Sequence, residues 1–198
     1  MEVSTTAAAI VAGGRARRFA GQDKSRLVVE GRTIIVRQVD VLQRVAQDVF
    51  VVGAEPGRYD DLGLRTYPDV IAGVGAIGGI YTALAAATAD AVIVVACDLP
   101  FLESRLLARL VELSGGRDGA WVRAAHGVEP LIACYRRRVA PLVRARIDGG
   151  HLKAGDLSAV LDLAELGPED LATYGQPGRL LANINTPEDY ARVQYGAS

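Results

Sequence analysis

Between Ala9 and Lys24 the chain sets the paired glycines Gly13 and Gly14 among four cations, Arg15, Arg17, Arg18 and Lys24. Glycines lacking Cβ atoms let backbone amides close on an anion, and fixed positive side chains add charge to the same place. That chemistry suits a triphosphate. Spacing excludes the two familiar glycine loops: Gln22 and Asp23 separate Gly21 from Lys24, and the loop has no Gly-x-Gly-x-x-Gly. A surface turn with solvated arginines is the plain structural alternative. Asp98 is the second candidate, because it follows the apolar run Ala91 to Ala96 and so ends a buried strand. A carboxylate there is costly unless a cation meets it, and beside a triphosphate loop the natural cation is Mg²⁺. The structural alternative for Asp98 is a cap on a helix over Leu102 to Leu113, for which Glu103 and Ser104 are better placed.

Four glycines fall within the seven residues from Gly73 to Gly79, after Pro68-Asp69, and can bring backbone close to a flat ligand. A plain loop leading into a helix is the alternative. Near the C-terminus, Thr186-Pro187-Glu188-Asp189 reads as a helix start with Pro at its first position. That explains these four residues structurally and leaves Asn183 and Asn185 as candidates for function. His126 and His151 have no Ser, Cys or metal-ligand partner at useful spacing, so hydrolase and zinc chemistries have little support. Cys97 and Cys134 lie in separate apolar stretches without a Cys-x-x-Cys pattern and read as buried reduced thiols.

These residues need a scaffold of buried strands. Ala7 to Val11, Val49 to Val52 and Ala91 to Ala96 are short apolar runs suited to parallel strands. Ile35, Val39, Leu42 and Val45 repeat at helical spacing after Thr33, a predicted N-cap, making one βαβ unit with the second strand beside the first. An alanine-rich helix is expected from Ile80 to Ala87. Beyond Gly115-Gly116 come short strands at Ala120 to Val122 and Leu131 to Tyr135, then helical patterns over Val139 to Ile147, Asp156 to Leu163 and Leu180 to Ile184.

The chain has 198 residues, half of them hydrophobic, within the usual span of one domain. Lys and Arg number 22 against 23 Asp and Glu, a net charge of −1, which argues against a nucleic-acid track or a membrane surface. The apolar segment Val74 to Ala96 is broken by Gly78, Gly79, Thr82, Thr88 and Asp90, so it reads as a buried helix feeding a strand. The first residues lack a secretory pattern, and a cytoplasmic location is expected.

Val11-Ala12-Gly13-Gly14 through Arg18 and Asp23-Lys24, then Cys97-Asp98-Leu99-Pro100-Phe101, then Asn183 to Asp189 resemble the molybdenum cofactor guanylyltransferase (MobA) family in order and approximate spacing. That family lies within the MobA-like nucleotidyltransferase superfamily, and the motifs span nearly the whole chain. The resemblance implies an α/β protein with a three-layer α/β/α, nucleotide-diphospho-sugar-transferase-like fold and a mostly parallel central sheet. It implies a single nucleotidyltransferase domain over residues 1–198, with about 1–115 the nucleotide-binding half and about 116–198 the acceptor-substrate half.

The implied reaction moves GMP from GTP to the phosphate of the molybdenum-molybdopterin cofactor and releases pyrophosphate. Arg18, Lys24 and Asp98 are then catalytic, with Asp98 holding Mg²⁺. Val11, Ala12, Gly13, Gly14, Asp69, Gly78 and Gly79 join Lys24 and Asp98 around the nucleotide, and Asn183 and Asn185 face the molybdopterin-type acceptor. Molybdoenzyme maturation proteins are implied partners. A phosphate monoester has a second pKa of about 6, so the attacking group is mostly dianionic near neutrality and no catalytic histidine is expected. The chain departs from the family at Ala16 (often Ser), Gly53 (often Asn), Ala76 (often Pro) and Glu129 (often neutral or basic), which weakens the inference about base choice. A cytidylyltransferase on the same cofactor, a sugar-phosphate nucleotidyltransferase and a catalytically inactive nucleotide-binding regulator remain alternatives.

Overall fold

The computed structural model describes residues 5–13 and 23–195. Gly14, Arg15, Ala16, Arg17, Arg18 and Gly21 lie outside the described residues. The first strand, β1 (Thr6–Val11), is buried along its whole length. After a 3-10 turn at Lys24–Arg26 come β2 (Val28–Val29) and β3 (Arg32–Thr33), an antiparallel hairpin. Its turn residues Glu30 and Gly31 have φ of 49° and 78°, the positive pair that a tight two-residue hairpin requires. Then follow α1 (Ile34–Leu42), β4 (Asp48–Val52), β5 (Arg65–Tyr67), α2 (Ala76–Ala86), β6 (Ala91–Ala96) and α3 (Ser104–Leu113). The remainder is β7 (Gly119–Ala124), β8 (Gly127–Arg136), α4 (Ala140–Asp148), β9 (Leu163–Leu166), α5 (Pro168–Leu171), α6 (Pro177–Leu180) and α7 (Pro187–Tyr195).

The main sheet runs β5-β4-β1-β6-β8-β7-β9. β5, β4, β1 and β6 are parallel, β8 is antiparallel to both neighbours, and β9 returns parallel to β7. The sheet is therefore mostly parallel and continuous past residue 115. Alternation along β1 decides the layers. Ala8 and Ile10 face a cluster with Ile35 and Leu42 of α1 and Leu106, Leu107 and Leu110 of α3, whereas Ala7, Ala9 and Val11 face Ile77, Ile80 and Leu84 of α2 and Val143 of α4. This is the expected three-layer arrangement. Among the described residues no helix is long and apolar enough to cross a membrane.

Several sequence expectations need correction. The helical pattern over Asp156 to Leu163 is a 3-10 turn at Ala154–Ala159 followed by β9. Leu157 and Leu161 are buried four residues apart, which mimics a helix, but Leu163 onward pairs with β7 and places Glu165 within hydrogen-bonding reach of Trp121 and Arg123. Of the pattern over Leu180 to Ile184 only Leu180 is helical, as the last residue of α6. α2 begins at Ala76, ahead of the expected Ile80, with Gly75 at φ 74° preceding it. Thr33 precedes α1 without a side-chain cap, and α3 starts at Ser104 after an equally uncapped Glu103, so Asp98 caps no helix.

Candidate active site

A cleft of about 210 Å³ opens where β1 and β6 end, lined among others by Val11, Gly13, Asp69, Gly75, Gly79, Asp98 and Leu131. Parallel sheets bind ligands at this end, outside the carboxyl ends of the strands. Pockets for drug-sized ligands measure about 300–1,000 Å³, so the cleft formed by the described residues is smaller than such a pocket.

Its floor is backbone pressed on backbone. A Cβ on Gly53 would lie 2.7 Å from Gly13 Cα and 2.8 Å from Gly13 N, so the two chain turns touch because Gly53 has no side chain, and a Cβ on Gly13 would also be tight, 3.2 Å from Gly53 Cα. The Asp69 carboxylate rests on this contact, with Oδ2 3.0 Å from the position of a Cβ on Gly13. Gly79 admits α2 to the same wall, since its Cβ would meet Val11 Cγ1 at 2.6 Å. Gly78 does not line the cleft. Its Cβ would strike Val74 Cγ2 at 2.6 Å, so its smallness serves the packing of the loop before α2. Ala12 is buried and donates its amide to Val52 O at 2.9 Å, which extends the ladder between β1 and β4.

Lys24 sits on the 3-10 turn, and that turn is anchored by Asp23. Asp23 Oδ1 accepts from Ser25 N at 3.0 Å and Ser25 Oγ at 2.8 Å, while Oδ2 accepts from Arg58 Nε at 3.0 Å and Tyr59 Oη at 3.1 Å. Burial alone would raise the Asp23 pKa, but the hydrogen bonds from Ser25 and Arg58 outweigh it and hold the carboxyl below its ordinary value. Tyr59 is fully buried, and burial pushes its phenol up to about 12, so it stays protonated as a donor. Lys24 itself is only 4% exposed, and its Nζ donates to Asn185 Oδ1 at 2.8 Å.

Asn185 is held by the start of α7. Its amide and that of Thr186 both donate to Asp189 Oδ2 at 3.0 Å, and Asp189 N donates to Thr186 Oγ1 at 3.2 Å, a reciprocal cap of the kind predicted from Thr186 to Asp189. The preceding residue, Ile184, donates its amide to Asp98 O at 3.1 Å. Lys24, Asp98 and Asn185 therefore converge; Asn183 and Asn185 are both exposed, and of the two it is Asn185 whose side chain meets Lys24 among the described residues.

Asp98 is 9% exposed, and burial pushes its carboxyl above the usual range against the opposing pull of the Lys24 ammonium. The turn that carries it is gripped from α1. Gln38, 1% exposed, donates Nε2 to Ala96 O at 2.7 Å and to Leu99 O at 3.0 Å, and Arg37 Nε donates to Pro100 O at 2.9 Å. Burial drives the neighbouring Cys97 thiol far up, so it is inert packing, as Cys134 is. His126 is on the surface against Glu129 Oε1 at 2.8 Å.

Gln38, Arg58 and Tyr59 were not evident from sequence. Gln38 could have been noticed as an amide in the apolar stripe between Ile34 and Leu42. Arg58 and Tyr59 carry no such mark, because their partner Asp23 lies 35 residues away or more.

A mostly parallel sheet whose strand ends present glycine backbone and a buried carboxylate to one cleft, with a buried lysine acting electrostatically on that carboxylate, fits a nucleotidyltransferase. The MobA-like NTP transferase domain family matches residues 8–164, and the chain belongs to that family. It is 33% identical to the probable molybdenum cofactor guanylyltransferase of Pelotomaculum thermopropionicum, across 93% of this chain and 90% of that protein. It is also 33% identical to the protein of the same description from Chloroflexus aggregans, across 93% and 91% respectively. Among solved structures, the molybdopterin-guanine dinucleotide biosynthesis protein A of Archaeoglobus fulgidus superposes with a TM-score of 0.78 at 25% identity, covering 95% of this chain and 96% of that one.

Proposed function

We propose that this protein transfers GMP from GTP to the phosphate of the molybdenum-molybdopterin cofactor, releasing pyrophosphate and leaving the guanine dinucleotide form of the cofactor. The observation that carries the reading is the cluster of Lys24, Asp98 and Asn185, whose Asp98 lines a cleft walled by Gly13 and Gly79, in a chain whose relatives at 33% identity are named for this activity. Lys24 offers a desolvated cation to the phosphates, and the Gly13 backbone can approach them without a side chain between. The attacking phosphate arrives largely ionised, so the protein's task is to align two anions. Residues from about 116 onward hold the acceptor in this reading, with Asn183 and Asn185 on its side of the cleft.

The donor set suits Mg²⁺. Asp98 and Asp69 are oxygen ligands on one cleft, and among the described residues no group of three or more His, Cys, Asp or Glu could hold a metal alone. Mg²⁺ commonly takes one or two carboxylates and completes its shell with phosphate oxygens and water. Asp98 is the residue to hold it, and when bound the ion neutralises charge on the phosphates. The reading implies a cytoplasmic enzyme that passes its product to molybdoenzyme maturation proteins.

The test is turnover of the purified protein with Mg²⁺ and the molybdenum-molybdopterin cofactor, read as pyrophosphate release and as the dinucleotide formed. GTP supports turnover and raises the melting temperature more than CTP, ATP or UTP does, because only binding to the folded state stabilises it. Faster turnover with CTP makes the protein a cytidylyltransferase. Binding of GTP without pyrophosphate release makes it a regulator.

A further inference from the structure

We infer that Gln38 is a positioning residue for the Asp98 carboxylate, acting from the far side of the sheet on the turn that presents it. The inference rests on the reading of Asp98 as the metal-holding residue. Gln38 occupies a place in α1 where the helix is otherwise apolar, with Ile34 one turn before and Leu42 one turn after, both fully buried. A polar side chain there costs free energy unless its hydrogen bonds repay it. Its Nε2 spends both protons on one target, Ala96 O at 2.7 Å and Leu99 O at 3.0 Å, the carbonyls on either side of Cys97-Asp98.

The amide can stand only this way round. Turning it over would set its oxygen against two carbonyl oxygens, and in the orientation it has, Oε1 is buried without a hydrogen-bond partner among the described residues. A residue chosen for packing would not leave a buried acceptor unpaired. The unpaired oxygen is the consequence of placing two donors under one turn.

The other constraints on that turn leave this one distinct. Cys97 N donates to Val11 O at 3.1 Å, and Ile184 N donates to Asp98 O at 3.1 Å. These fix one edge of the turn to β1 and the other to the C-terminal segment. Among the described residues, Gln38 is the side chain that ties the two flanking carbonyls to each other, while Arg37 Nε holds only Pro100 O, and so Gln38 sets how far the Cys97-Asp98 backbone can swing about its ends. Because α1 also receives the Lys24 segment, through Ile34 N donating to Leu27 O at 3.0 Å, the same helix keeps both candidate catalytic residues in register.

The experiment compares wild type, Gln38→Met and Asp98→Asn as full-length proteins, using Mn²⁺ as the spectroscopic probe and a non-hydrolysable GTP analogue. Circular dichroism and thermal melts first establish that each variant is folded. Electron paramagnetic resonance then gives the Mn²⁺ affinity with the analogue bound, and calorimetry gives analogue affinity without metal. Removing a partner that orients a metal ligand typically weakens metal binding by about 10- to 100-fold, and that loss is expected for Gln38→Met with analogue affinity unchanged in the absence of metal. Should Gln38→Met fail to fold, Gln38→Asn, whose amide sits on a stem too short to reach both carbonyls, is expected to weaken Mn²⁺ in the same direction. Unchanged Mn²⁺ affinity in a folded Gln38 variant, with Asp98→Asn losing the ion, overturns the role of Gln38 alone. Unchanged Mn²⁺ affinity in Asp98→Asn overturns the assignment of Asp98 and the inference with it.

Discussion

Substitution of Gly53 by alanine should damage the protein far more than an ordinary exchange at a loop. Gly53 has φ 78°, in the left-handed region, where an L-residue costs about 1–2 kcal/mol. The added methyl would stand 2.7 Å from Gly13 Cα and 2.8 Å from Gly13 N, both backbone atoms that cannot swing aside. Forcing such a contact into a packed site costs about a further 1–3 kcal/mol. Together these reach several kcal/mol, a large share of the roughly 5–15 kcal/mol that holds a typical domain folded. For a chain of this length a loss of each kcal/mol lowers the melting temperature by about 2–4 °C, so a fall of at least about 4 °C is expected. Whatever part of the strain is relieved by movement shifts the Gly13 amide and the Asp69 carboxylate, and KM for GTP rises. Gly53→Asn keeps the steric conflict but tolerates positive φ better, so it should fall between wild type and alanine. Differential scanning calorimetry decides the matter. An alanine variant that melts with the wild type, or an asparagine variant less stable than alanine, would show that the two turns are not locked together as described.

Two other perturbations probe the Lys24 support. Asp23→Asn loses charged hydrogen bonds worth about 1.5–3 kcal/mol each and is destabilised near neutral pH. Because the folded pKa of Asp23 lies below the unfolded value of 3.8, the wild type holds this stability above that pH and loses it as pH falls through the folded value. Urea melts should therefore show the two proteins converging in acid, and a gap that does not narrow contradicts the role of the carboxylate. Asn185→Ala removes the acceptor 2.8 Å from Lys24 Nζ, and a lost charged hydrogen bond of about 1.5–3 kcal/mol corresponds to about a 10- to 100-fold fall in kcat. A variant that changes only KM for the acceptor shows instead that Asn185 touches the acceptor and leaves Lys24 unaffected.

What the sequence disclosed follows from how each element is buried. β1, β4 and β6 lie inside the sheet and read as unbroken apolar runs, and α7 announced itself through Thr186 and Asp189, whose cap is a local interaction. β5 is a short edge strand, Arg65-Thr66-Tyr67, with no apolar run to mark it. β9 follows a 3-10 turn whose buried leucines imitate helical spacing. Within the candidate site, Lys24 stood out as a cation following a glycine-rich loop and Asp98 as an acid at the end of a buried strand. The supports did not, since Arg58, Tyr59 and Gln38 meet their partners across the fold, at sequence separations from 35 to 61.

The long-range contacts also bear on how the two parts of the chain depend on each other. Tyr190 Oη of α7 donates to Val28 O at 2.8 Å, and Gln194 Nε2 donates to the same carbonyl, so α7 is docked on β2 just past the turn that carries Lys24. From the start of that helix Asn185 reaches back to Lys24 Nζ, across 161 residues of sequence, and Ile184 reaches Asp98 O. Lys24, β2, α7 and Asn185 thus form a closed circuit. In such a circuit the C-terminal segment helps set the position of the lysine, because among the described residues its ammonium donates to the Asn185 carbonyl oxygen. Displacing α7 would return Lys24 to water, where its attraction for a phosphate is weaker, and would release one of the anchors on the Asp98 turn. If Lys24 meets the phosphates as proposed, the last elements of the chain would serve the nucleotide site through Asn185 and α7, even though their residues lie in the half assigned by sequence to the acceptor.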